Sequence, residues 1–197
     1  NILIIVFKMF QKYEVDNLQA LIVNYLTAAI CSFYFIETDF TFTYIIDSKW
    51  LYHAIVIGTL FIIVFNFFSL GIQQVGISIT TVANKMSLII PVSAALILYP
   101  EEETLTLIKV IAFLLAFLGI YLSSTQDGRI TFSKKYIWLI ILIFLGQGVS
   151  DAIFNDFAQS FNTVIAKESY LFFMTLFLIA TISGVFIYLG RSIQRKS

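Results

Sequence analysis

Apolar stretches long enough to cross a lipid bilayer recur along this chain, and no other feature constrains its fold so tightly. A helical span needs about 20 consecutive apolar residues. The sequence offers a partial run from Asn1 to about Phe10, then runs over 18–35, 50–70, 75–98, 105–123, 136–158 and 170–189. Membrane β-strands are shorter and alternate apolar with polar side chains. The segment Leu139 to Leu145 does not alternate. The expected fold is therefore an all-α, multi-helix transmembrane bundle with about seven helices visible.

Composition excludes the soluble alternatives. Hydrophobic residues make up 59% and charged residues 12%, against about 25% charged in a soluble domain. Such a chain could not cover its surface in water. The formal net charge is zero, so no nucleic-acid partner is expected. Cys31 is the single cysteine and His53 the single histidine. A disulfide within the chain and a paired-histidine metal site are thereby excluded. No cofactor or metal is expected.

Punctuation falls between the runs. Glu37 to Lys49 is a polar loop, and Trp50 and Tyr52 follow where an interfacial aromatic belt would lie. Gly71 to Gln74 is expected as a tight turn. Tyr99-Pro100 and Glu101 to Glu103 stop one helix and start another, with acids where a helix N-terminus favours them. The linker 126–135 is the best internal boundary, separating 1–125 from 136–197. The pairs Phe7/Phe10 and Phe154/Phe157 share a spacing and each ends a helix ahead of a glutamine. This faint echo, offset by five helices, hints at an inverted repeat.

Charge suggests an orientation. Lys8, Lys12, Arg129, Lys134, Lys135, Arg191, Arg195 and Lys196 fall on one set of loops. The other set holds the acids Glu37, Asp39, Asp47, Glu101 to Glu103 and Glu168 with the basic Lys49 and Lys167, and Lys109 if it snorkels back. The positive-inside rule assigns the basic set to the cytoplasm.

Ionisable groups within a span face a cavity or a partner, because lipid does not solvate them. Lys85 lies in the middle of the fourth run and Asp151 well inside the sixth. Around Lys85, Thr80, Asn84, Ser87 and Pro91 follow helical spacing, and Thr81 lies one turn earlier. Pro91 is expected to kink the helix and free the carbonyl of Ser87. Around Asp151, Gln147 and Asn155 complete an i, i+4, i+8 stripe, beside Ser150. The candidates for solute binding or translocation are therefore Lys85, Asp151, Asn84, Ser87, Gln147 and Asn155. An ion pair that merely fixes helix packing is the competing reading. Asn24, Tyr25 and Asn66 read as helix-to-helix hydrogen-bonding groups. His53 reads as a belt residue, and Asp156 as a wet helix end.

The stretch from Ser69 to Leu122 resembles the drug/metabolite transporter superfamily, in its EamA-type branch. It carries Thr80, Thr81, Ala83, Pro91, the glutamates 101–103, Leu105, Thr106 and Gly119-Ile120-Tyr121-Leu122. Tyr99-Pro100 departs from the glycine that usually precedes the glutamate, and Ala112 from the first glycine of the next helix. The resemblance implies ten helices in two inverted five-helix repeats, with 1–125 as the first, 136–197 opening the second, and about three helices not visible here. It also implies a cytoplasmic start to the first helix, opposite to the charge pattern. The implied function is a multi-pass secondary transporter of the cytoplasmic membrane. It would move a small organic metabolite or drug-like solute, with a proton or other ion as the candidate coupling partner. A membrane-embedded enzyme and a seven-helix receptor are the alternatives. The first lacks a catalytic cluster, and a helix that begins partway through does not suit the second.

Overall fold

The computed structural model describes residues 2–37, 39–99 and 134–194, together with 106–108, 110, 111, 114, 115 and 118. Among these residues the chain is helical and contains no strand. The labelled helices are α1 (Ile2–Lys12), α2 (Asn17–Tyr34), α3 (Phe42–Asp47), α4 (Leu51–Gln74), α5 (Ile77–Met86), α6 (Ile89–Leu98), α7 (Ile137–Ser160) and α8 (Asn162–Gln194). A short 3-10 turn, Lys134–Tyr136, leads into α7. Four stretches are long and apolar enough to cross a membrane: Leu51–Gln74, Ile77–Leu98, Ile137–Ser160 and Lys167–Ile193. Helix α2, with polar Asn17, Gln19, Asn24 and Ser32, falls outside that set. Most of the fifth run, the glutamates 101–103 and linker positions 126–133 lie outside the described residues.

Several boundaries differ from those read in the sequence. The segment Gly71 to Gln74 is not a turn but the last turn of α4. The chain turns instead at Val75-Gly76, whose two amides both donate to the Gly71 carbonyl at 2.8 and 3.1 Å. Gly76 takes φ of 115° there, a conformation that a side chain would oppose. The loop after α2 contains the short helix α3. The seventh run begins earlier and ends later than its apolar core, as α8. Glu168, at φ −129° and ψ 23°, interrupts the helical geometry near its start.

The chain forms two compact units. One comprises residues 1–13 and 67–152, the other 14–66 and 153–197, so the division falls within α4 and α7.

In the first unit, α1 meets the end of α4. Phe7 is buried against Phe68, with ring centroids 6.0 Å apart, and Gln73 donates to the Phe7 carbonyl at 3.2 Å. Thr80, Ala83, Ser87 and Pro91 are buried along α5 and α6, and Leu139, Ile143 and Ser150 along α7.

The second unit has an aromatic core. Phe157 and Phe172 stack face to face at 3.8 Å and 9°, and Trp50 meets Phe172 edge-on at 5.6 Å. Ile45 from α3 and Ala54 and Ile57 from α4 pack in the same cluster. Helix α2 packs along α8, and Asp16 caps its start by accepting from the Leu18 and Gln19 amides at 2.9 and 3.1 Å. At Gly58 the backbones of α4 and α8 come so close that a Cβ would stand 2.6 Å from the Leu176 carbonyl oxygen. Close approach over small residues is how membrane helices gain packing when lipid supplies no hydrophobic drive.

Candidate functional site

The break between α5 and α6 organises the first candidate cluster. A proline cannot donate to the carbonyl four residues before it. The helix accordingly stops at Met86 and resumes at Ile89, upstream of Pro91. The Ser87 carbonyl is not freed, contrary to the reading of the sequence. The Ile90 amide takes it at 3.0 Å, closing a tighter turn in place of the missing bond. The Ser87 hydroxyl is also committed, donating to the Asn84 carbonyl at 2.5 Å. Ser87 is fully buried and Asn84 half-buried. Both residues shape the break, and Pro91 is buried beneath it.

Lys85 occupies the last turn of α5 with its side chain exposed. Asp151 lies half-buried on α7, and Gln147 donates to its Oδ1 at 2.8 Å, one turn away. Lys85 is near enough for its charge to act on the Asp151 carboxylate. Among the described residues the two do not form a direct salt bridge. Both belong to the unit 1–13 and 67–152, whereas Asn155, the third member of the stripe, falls in the other unit. Three hydroxyls of the first unit are buried with no hydrogen-bond partner: Thr80, Thr81 and Ser150. A buried polar group without a partner costs on the order of 1–3 kcal/mol. Threonine and serine side chains on membrane helices normally bond back to a carbonyl one turn earlier, as Thr175 does to Leu171 at 2.9 Å. The three bare hydroxyls flank the charged residues in sequence, since Thr81 precedes Lys85 by one helical turn and Ser150 adjoins Asp151.

The second unit holds a constellation that the sequence did not reveal. His53 Nε2 and Asp156 Oδ2 lie 3.2 Å apart, joining α4 to α7. The two residues are 103 positions apart in sequence. Each alone has the composition of an ordinary helix end, and no spacing along one helix signals a partner 103 positions away. Tyr44 on α3 donates to the Glu168 carboxylate, with both oxygens within reach at 2.9 and 2.8 Å. That bond reaches the point where α8 leaves helical geometry. The carboxylate beside it raises the Tyr44 phenol above its usual range. Tyr25 is buried as a packing residue, stacked on Phe177 at 5.9 Å and edge-on to Phe65 at 6.5 Å. Asn66 is buried, while Asn24 is exposed. Among the described residues no group of three His, Cys, Asp or Glu side chains could hold a metal ion.

No family model matches the chain. It is similar to an uncharacterised protein of Haemophilus influenzae, with 28% identity over 193 residues. The aligned region covers 95% of this chain and 64% of that protein, so the chain spans less than two thirds of the relative's length. No solved structure matches.

Proposed function

We propose that this chain belongs to a secondary transporter of the drug/metabolite type, which moves a small organic solute across the cytoplasmic membrane. The observation that carries this reading is the polar cluster on α5 and α7. Lys85 and the Gln147–Asp151 pair lie within stretches long and apolar enough to span a bilayer, in a unit that also holds the unpartnered hydroxyls of Thr81 and Ser150. Charged groups at such depth mark substrate and ion pathways more often than packing. Ahead of Pro91 the span tightens at Ser87-Leu88, where the Leu88 and Ile90 amides reach carbonyls three residues back, a local adjustment by which membrane helices tolerate proline. The length of the relative also suits a ten-helix protein. Its 193 aligned residues amount to 64% of it, and the remainder has room for about three further spans of about 20 residues each, with their loops.

Flux of a panel of labelled metabolites into proteoliposomes tests the reading. Saturable movement of one solute class, lost in Asp151→Asn, supports it. Unsaturable leakage for every solute, equal to that of empty vesicles, contradicts it.

A further inference from the structure

We infer that His53 and Asp156 form a proton-binding site whose occupancy is relayed into the aromatic core of the second unit. The inference rests on the geometry of this pair and does not depend on the transport reading. His53 is two residues into α4 and Asp156 four residues before the end of α7. Their side chains are 17% and 38% exposed. The imidazole is therefore enclosed while its carboxylate partner still meets the exterior, which gives a proton a way in. With Asp156 ionised, the neutral ring keeps its proton on Nε2 and donates it to Oδ2 at 3.2 Å. Nδ1 is then a bare lone pair. It is buried and has no hydrogen-bond partner.

The ring is walled by aromatic side chains. Phe161 and Tyr52 meet it edge-on at 5.4 and 5.9 Å, and Phe157 lies tilted at 5.9 Å. The charged group facing it is Asp156 of α7, and the titratable group beside it on α4 is Tyr52. A proton taken up at Nδ1 changes the charge of the pair from −1 to zero. It makes the ring an imidazolium beside the Asp156 carboxylate. It also creates a buried N–H with no acceptor, which this arrangement leaves unmet. The ring must turn or its aromatic walls must yield. Phe157 is both a wall of the histidine and the face-to-face partner of Phe172, which in turn touches Trp50. Movement at the histidine therefore reaches α8 through stacked rings.

Trp50 reports the relay directly. In a Trp138→Phe background Trp50 is the remaining tryptophan. The protein in lipid nanodiscs is taken from about pH 8 to about pH 5, which protonates imidazoles. Trp50 emission is expected to lose intensity and shift to the red. His53→Gln keeps a donor towards Asp156 but cannot titrate near neutrality. It is expected to match the parent at pH 8 and to lose the response. Asp156→Asn removes the counter-charge and is expected to diminish it. A flat response in the parent overturns the inference, and so does an undiminished response in His53→Gln or in Asp156→Asn. Far-ultraviolet circular dichroism at both pH values separates these outcomes from unfolding, and a response that tracks loss of helix overturns the inference as well.

Discussion

At the scale of single residues, Asp151 and Lys85 carry the account. Asp151 keeps a hydrogen bond from Gln147 whatever happens at Lys85. No direct ion pair joins the two charges among the described residues. Lys85→Met should therefore lower stability by no more than about 1 kcal/mol, the range of exposed charge pairs, as read by thermal unfolding in detergent. Its effect on solute flux should be larger, a loss of at least about tenfold, the factor that 1.4 kcal/mol produces. Equal and small effects on both measurements would mark Lys85 as a packing residue. Tyr44 supports a second prediction. The Glu168 carboxylate accepts its proton and raises the phenol. A raised phenol stabilises the fold fully below its unfolded value of about 10, and the contribution is lost as pH climbs through the folded value. Tyr44 is largely exposed, so solvent screening leaves the bond weak. Tyr44→Phe should leave α3 proteolysis unchanged above that range and quicken it at neutral pH. Identical rates at neutral pH would mean that the bond does not hold α3.

At the scale of elements, the long apolar helices were legible and their joints were not. The runs over 50–70 and 136–158 announced α4 and α7 because lipid demands uninterrupted apolar side chains. In the run over 75–98 Pro91 signalled a kink but not that the Ile90 amide would take the Ser87 carbonyl, because the turn that repairs the missing bond is local. Gly71 looked like a turn because glycine permits one, yet the residue that needed positive φ was Gly76. The Gln147–Asp151 hydrogen bond, one helical turn apart, was legible from spacing alone. The His53–Asp156 pair was not, since spacing along one helix says nothing about a partner 103 residues away. Gly58 makes the packing of α4 on α8 testable. A methyl group there would press on the Leu176 carbonyl, and backbone cannot swing aside as a side chain can. Gly58→Ala should destabilise the protein by about 1–3 kcal/mol, read as a lowered unfolding midpoint in detergent. An unchanged midpoint would mean that the two helices part at little cost.

At the scale of the whole molecule, the chain presents extensive apolar surface. In the span Ile77–Leu98 only 17% of the apolar window is buried, against 50% in Leu51–Gln74. Ile97, Leu98, Phe186 and Ile193 are among the large apolar side chains left exposed. Lipid solvates such surface, so the protein should partition with membranes and resist alkaline carbonate extraction. Recovery in the soluble fraction would contradict a bilayer environment. The charge pattern predicts the side on which each loop emerges. In a Cys31→Ser background, a cysteine at Thr41 should react with an impermeant maleimide on intact cells, while one at Lys135 should react only after permeabilisation. The opposite pattern would favour the cytoplasmic start that the family resemblance implies.

The central claim is that Lys85 and Asp151 serve a solute and not the fold, and one comparison tests it most directly. Wild-type protein and the double variant Lys85→Met with Asp151→Asn are reconstituted at equal density, and flux of the best solute from the panel is measured in both. Removing both charges leaves neither one unpaired, so the double variant should insert and unfold as the wild type does. The account predicts that its flux falls to the level of empty vesicles. Flux at the wild-type rate would contradict it and leave the two residues as part of the packing.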